Sequence, residues 1–183
     1  MENLPDFPIG SFNKWYNSSE ISIPNNNLQD WLLDTGSLTV KLELMCNRFE
    51  LSLLGHQNID LELKKSKPFF IFPKDGSWVL REVILWGDGM PWVFAHSLIC
   101  KALMDKKGDN FAEKSIGNFI FNDPQFVRSK FQLNYEKPPE NLSKFLNPFI
   151  GKLWGRRSCF TTSKYAIIVE EIFLPQSPAY KTN

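Results

Sequence analysis

Apolar residues recur along this chain in two rhythms, one with a period of two and one with the spacing of a helical face. The clearest stretch of the first kind is WVLREVILWGDGMPWVFAHSLIC, Trp78 to Cys100. Val, Ile and Trp on either side of Gly87-Asp88-Gly89 predict a β-hairpin, because Gly and Asp adopt turn conformations that bulky and β-branched residues avoid. LWGRRSCFTTSKYAIIVEEIFLP, from Leu153, reads as a second hairpin turning near Ser163-Lys164. Between them, Val127 to Tyr135 alternates strictly. Val127, Ser129, Phe131, Leu133 and Tyr135 fall on one side and Arg128, Lys130, Gln132 and Asn134 on the other, the pattern of a strand with one wet face. Alternation from Phe49 to Leu63 predicts the first strands, interrupted near Gly55-His56-Gln57-Asn58, and Lys64 to Pro68 reads as a solvated turn.

The helical rhythm appears in short pieces. Asn25-Asn26-Asn27 offers an N-cap, and Leu28, Trp31 and Leu32 follow at i, i+3 and i+4 up to a break at Asp34-Thr35-Gly36. Ser37 can cap a second helix with Leu38, Leu42 and Met45 as its stripe, so residues 27–46 predict a helical hairpin, which packs on the core or serves as a lid. Lys106 to Asp109 reads as a turn, Asn110 to Phe119 as a helical segment interrupted at Gly117, and Pro138-Pro139 as the opening of a short helix through Leu142, Phe145 and Leu146. Residues 1–26 form an arm anchored by Phe7, Phe12, Trp15 and Tyr16, and residues 176–183 a polar, frayed tail. Together these predict one α+β domain over residues 1–183, with antiparallel strands.

Charges interrupt the strand pattern at informative places. Arg81 shares its parity with Val79, Val83 and Leu85, which puts a guanidinium in a row of apolar side chains. Arginine does not shed its proton and is seldom buried alone, so a protein residue or a bound anion must answer it. In the last strand Glu170 and Glu171 have opposite parity, so whichever face points inward carries a carboxylate with it. Such a group suits proton handling or hydroxyl recognition, or it makes an ordinary salt bridge to Arg81. Arg156 and Arg157 likewise straddle the two faces, so one of them faces either the interior or a structural carboxylate.

Composition narrows the class. With 21 Lys and Arg against 20 Asp and Glu, the formal charge of +1 argues against a general grip on nucleic acid or an anionic membrane and favours a small-molecule partner. Cys46, Cys100 and Cys159 are odd in number and widely spaced, which fits reduced thiols in the cytoplasm and no metal site. The stretch MENLPDFPIGSF carries acidic residues and two prolines where a signal peptide would carry basic residues and then an apolar run, and no run reaches the roughly 18 apolar residues of a membrane span.

Three blocks carry more than periodicity. WLLDTGSLT at 31–39, WVLREVILWGDGMPWVFA at 78–95, and LWGRRSCF with IVEEIFLPQSPAY at 153–180 resemble the signature blocks of the chorismate pyruvate-lyase family, in the same order. The flavour is similar to its cyanobacterial and algal-plastid branch, which would make the plastid stroma an alternative location. The resemblance implies a single six-stranded antiparallel sheet with helices and helical flaps over an internal ligand cavity. It implies cofactor-free elimination of pyruvate from chorismate to leave 4-hydroxybenzoate for plastoquinone or ubiquinone biosynthesis, by a monomer. It also implies that Arg81 grips the ring carboxylate, Glu171 meets the ring oxygen at the far pole, backbone amides of Leu38 and Ile116 supply lid contacts, and Ala95 lines the cavity where the family has glycine. His96 replaces a family arginine and reads as a hydrogen-bonded strand residue; His56 has less to mark it. The rival reading is a non-catalytic domain of the same fold that senses chorismate or 4-hydroxybenzoate, as in ligand-sensing domains of bacterial transcription regulators.

Overall fold

The computed structural model describes residues 4–60 and 76–181. Among these, eight strands, β1 (Tyr16–Asn17), β2 (Phe49–Asp60), β3 (Ser77–Gly87), β4 (Met90–Cys100), β5 (Val127–Arg128), β6 (Gln132–Glu136), β7 (Leu153–Thr161) and β8 (Ala166–Phe173), form one antiparallel sheet. Its order is β1-β6-β7-β8-β4-β3-β2, with β5 beside β7. The expected strand count of six is therefore corrected to eight. The additional pairings are the two-residue ladders β1 with β6 and β5 with β7, too short to leave an alternating signature. Five α-helices accompany the sheet: α1 (Asn26–Leu32), α2 (Leu38–Glu43), α3 (Lys101–Lys107), α4 (Ile116–Asn122) and α5 (Glu140–Phe145).

Both predicted hairpins are present. Asp88 and Gly89 sit at φ of 50° and 77° between β3 and β4, the doubly left-handed turn that matches strand twist. The Asp88 carboxylate also accepts from the amides of Asn47 and Arg48 and so fixes the start of β2. Strand β2 is continuous where an interruption was expected, because a bulge between Leu53 and Gly55 absorbs the irregularity. A side chain on Gly55 would run into the Phe7 ring, so the arm itself requires this glycine. The expected turn at Lys64 to Pro68 lies outside the described residues.

The helices start where their caps predict. The Asn25 side chain accepts from the Leu28 amide, Ser37 from Val40 and Ser115 from Asn118. Helix α2 ends before Met45, which is exposed and no part of its stripe. Gly117 lies in the first turn of α4 and does not interrupt a longer helix. The tail is docked: Ser177, Pro178 and Ala179 are buried, and the Asn27 side chain donates to the carbonyls of Pro178, Ala179 and Lys181. The Tyr180 hydroxyl donates to the Phe173 carbonyl and accepts from the Trp154 amide. A polar composition concealed these satisfied partners.

The sheet is covered on both faces. On the front, Leu28, Trp31, Leu32, Leu38 and Leu42 of α1 and α2 pack on Val83, Leu85, Val93 and Phe173. Farther along the same face, Leu103, Met104, Ile116 and Ile120 of α3 and α4 pack on Val79, Ile99 and Ile167. On the back, Ile9 and Phe12 of the arm and Leu142 and Leu146 around α5 cover Ile84, Trp86, Phe94 and Ile172. The two front clusters leave a strip between them.

Candidate active site

Cross-strand register sorts the front-face side chains into rows. One row runs Val83, Ala95, Glu171, Arg156 and Leu133 from β3 to β6. The next runs Arg81, Ser97, Val169 and Ser158. A third runs Val79, Ile99, Ile167, Phe160 and Arg128. The first two rows floor the strip between the apolar clusters, and the starts of α2 and α4 roof it. A cavity lies between these walls, lined by Arg81, Glu171, Leu38, Ala95 and Ile116 together with Arg128, Arg156 and Ser158. Every sequence-expected site residue thus borders one cavity.

Arg81 is 2% exposed, and its Nε and Nη2 donate to the carbonyls of Ala112 (2.6 Å) and Lys114 (2.8 Å), ahead of α4. These carbonyls aim the guanidinium but do not neutralise it, and among the described residues no carboxylate pairs with it. Burial pushes its pKa down to about 10, so it remains a cation at neutral pH. The salt bridge to Glu171 that the sequence left open does not form.

Glu171 has another partner. Arg156 Nε donates to its Oε2 at 2.5 Å, while Arg156 Nη1 reaches the carbonyls of Trp31 (2.8 Å) and Asp34 (3.0 Å) at the end of α1. One buried arginine thus fixes Glu171 and ties the α1–α2 connection to the cavity. Oε1 of Glu171 has no hydrogen-bond partner among the described residues.

Leu38 and Ile116 are the first residues of α2 and α4, so their amides have no acceptor within their helices. The two helix starts are joined by a 2.9 Å bond between the hydroxyls of Thr39 and Ser115. Gly117 permits this approach, since a Cβ there would lie 3.2 Å from both Ser37 Oγ and Thr39 Oγ1. Ala95 sits between Val83 and Glu171 and directs its methyl into the cavity. His96 turns to the back face, where its Nδ1 is 3.0 Å from Glu82 Oε1, as a hydrogen-bonded strand histidine should. Arg157 also faces the back and bonds to Glu170 and Gln132.

Four groups at the cavity were missed or set aside by sequence reasoning. Arg156 was one of two interchangeable arginines until register chose the face. Ser97 shares the parity of Ala95 in β4 and Ser158 that of Arg156 in β7, but only the register places their hydroxyls in the row of Arg81. Arg128 was placed on a wet face because residues 127–135 read as one strand; the chain instead breaks between β5 and β6, and the break inverts the alternation. Among the described residues no cluster of His, Cys, Asp and Glu could hold a metal ion.

The model of the family described as chorismate lyase matches residues 11–183. A protein named "Probable chorismate pyruvate-lyase" from Pseudoalteromonas atlantica is 40% identical over 96% of this chain and 93% of its own length. The chain belongs to the chorismate lyase family. A second member of the same name, from Shewanella loihica, is 34% identical over 93% of the chain and 92% of its own length. These relatives support the family and give no support to its cyanobacterial or algal-plastid branch. Solved structures resemble the fold at low identity. The effector domain of PhnF from Mycobacterium smegmatis has a TM-score of 0.54 at 8% identity, covering 76% of this chain and 89% of that one. A GntR-family transcriptional regulator from Enterococcus faecalis has a TM-score of 0.54 at 12% identity, covering 73% and 98%. The chorismate lyase family and these regulator domains thus share a sheet, and identity this low speaks for fold alone.

Proposed function

We propose that this protein is a chorismate pyruvate-lyase, converting chorismate to 4-hydroxybenzoate and pyruvate with its own side chains. The observation that carries this reading is Arg81: a buried cation without a protein carboxylate, in the same cavity as Glu171. Two of the five N–H donors of its guanidinium are held by carbonyls, and the remaining three can grip a carboxylate end-on. Family membership agrees with that assignment.

In this reading Arg81 binds the ring carboxylate, and the first amides of α2 and α4, at Leu38 and Ile116, close over it. Glu171, held by Arg156, receives the ring hydroxyl on its open oxygen at the opposite pole. During reaction the C–O bond to the enolpyruvyl group breaks, the neighbouring ring carbon that bears the hydroxyl loses its hydrogen, and the departing enol becomes pyruvate. Aromatisation supplies the driving force, so the protein contributes orientation and charge stabilisation. The three free cysteines support a reducing compartment, the cytoplasm, as its place of work. We further take the chain to act as a single-domain monomer whose product enters quinone biosynthesis.

The test is to mix purified protein with chorismate and follow pyruvate through a coupled dehydrogenase, with 4-hydroxybenzoate read by chromatography. Equal amounts of both products are expected. Ligand binding without pyruvate would replace this reading with that of a sensor.

A further inference from the structure

Arg128 is the one cavity cation that neither the proposed chemistry nor the fold accounts for. It stands on β5 opposite Phe160 and borders the cavity from the side away from Arg81, with β4, β8 and β7 between their strands. Its guanidinium lies 4.4 Å from the Phe131 ring centre and 5.8 Å from that of Phe160. Phe131 also carries Arg156, 4.8 Å away, so Arg128 sits beside the Arg156–Glu171 pair. Yet Glu171 bonds to Arg156, and among the described residues the Arg128 guanidinium has neither a hydrogen bond nor an ion pair.

The contrast with Arg156 is informative. Both arginines rest on one aromatic ring, but Arg156 is committed to a carboxylate and two carbonyls, whereas every guanidinium N–H of Arg128 is uncommitted among the described residues. Stacking fixes the plane of a guanidinium while leaving its donor edge available, which is an arrangement suited to a planar carboxylate. Burial, with Arg156 nearby, lowers the pKa of Arg128 from its ordinary value, against the pull of Glu171 and Asp34. A bound anion would relieve both unfavourable contributions.

We infer that Arg128 binds the second carboxylate of the substrate, the one on the enolpyruvyl group, and so selects a dicarboxylate with anions at both ends of the cavity. This rests on the proposed function and extends it. Arg81 and Glu171 recognise the ring, which substrate and aromatic product share. Arg128 recognises the leaving fragment, which only the substrate carries, and remains near its carboxylate as the C–O bond breaks.

The experiment compares Arg128→Met and Arg128→Lys with wild type on two ligands. For Arg128→Met the KM for chorismate should rise about 10- to 100-fold, the loss expected for a hydrogen-bonded charge partner. The inhibition constant for 4-hydroxybenzoate, which lacks the second carboxylate, should change by less than about threefold, since its contacts are untouched. Arg128→Lys should recover part of the chorismate affinity because it restores the charge without the fork. An unchanged chorismate KM, or equal weakening of both ligands, would overturn the assignment. If wild type releases no pyruvate, the lyase reading fails while the inference is still decided by calorimetric titration with chorismate and 4-hydroxybenzoate. Selective loss of chorismate binding supports it, and a wild type that binds neither ligand ends both. If Arg128→Met does not fold, Arg128→Lys is judged by the same ratio of the two constants.

Discussion

Neighbouring residues on the same strands have opposite fates on the two faces of this sheet. On the back, Glu82, His96, Glu170 and Arg157 lie side by side across β3, β4, β8 and β7, and Gln132 of β6 ends the row. Each charge there is answered. Glu82 accepts from the amides of Ile9 (2.7 Å) and Gly10 (2.8 Å) as well as contacting His96; Glu170 accepts from Ser11 Oγ and from Arg157, which also bonds to Gln132. On the front, Arg81, next to Glu82 on β3, has only carbonyls, and Arg128, on β5, only aromatic rings. The back row joins the N-terminal arm to the sheet; on the front the Arg156–Glu171 pair is closed within the chain, while Arg81 and Arg128 have no carboxylate partner among the described residues. Buried charge serves cohesion where its partners belong to the chain and recognition where they do not.

The largest test of that contrast is Arg81→Met. Losing the anchor for a carboxylate should lower kcat/KM by about 10²- to 10³-fold in the pyruvate assay. Stability should hold. Arg81 is protonated in both folded and unfolded chains at neutral pH, and because its folded pKa is depressed to about 10 the cost of burying the cation is fully present below that pH. Removing it should leave Tm within about 4 °C of wild type or raise it. A large fall in Tm would mean that Arg81 belongs with the structural charges after all.

Glu82→Ala should do the reverse. It strands two amides and His96 on the back face, and urea unfolding should register a loss of about 3–4 kcal/mol. The folded fraction should keep its kcat; a selective fall in kcat would show that the two faces are not separable.

Tyr180→Phe removes a hydroxyl that bridges β7 and β8 through the Trp154 amide and Phe173 carbonyl. It should cost about 1–2 kcal/mol in the same unfolding measurement, with no change in KM, because the bond lies away from both charge rows. Smallest of all should be the stability effect of Thr39→Val, about 1 kcal/mol or less. Its kinetics are more telling. If opening of the joined α2 and α4 starts limits turnover, wild type should show a pre-steady-state burst of 4-hydroxybenzoate, and Thr39→Val should reduce its amplitude by releasing product sooner. Rapid-quench measurements decide this; a linear wild-type trace removes the gating role from the cavity roof.

How much of this was legible beforehand depended on whether the strands ran unbroken. Arg81 and Glu171 could be read because β3 and β8 keep strict alternation, and Leu38 and Ile116 follow serines that cap their helices. Parity could not say which face of the sheet is front, so Arg156 and Arg157 stayed equivalent until the register with Glu171 and Glu170 separated them. Arg128 was hidden by a break that tertiary contacts impose: Ser129 donates its amide to the Cys159 carbonyl and accepts from the Cys159 amide on its hydroxyl, which ends the short ladder and resets the phase at Gln132. The tail was misread because its partners Asn27 and Trp154 are distant in sequence.

The pairing of a structural and a recognising charge on consecutive residues also constrains how such a chain can vary. A substitution alters one side chain, but inserting or deleting a single residue within β3, β7 or β8 would exchange the faces of everything beyond it. Glu170 would enter the cavity, Glu171 would meet the arm, and Arg81 would trade places with Glu82. Changes of length are therefore best absorbed in the connections and in edge strand β2, where the bulge at Leu54 already accommodates one extra residue and no cavity charge is displaced by it.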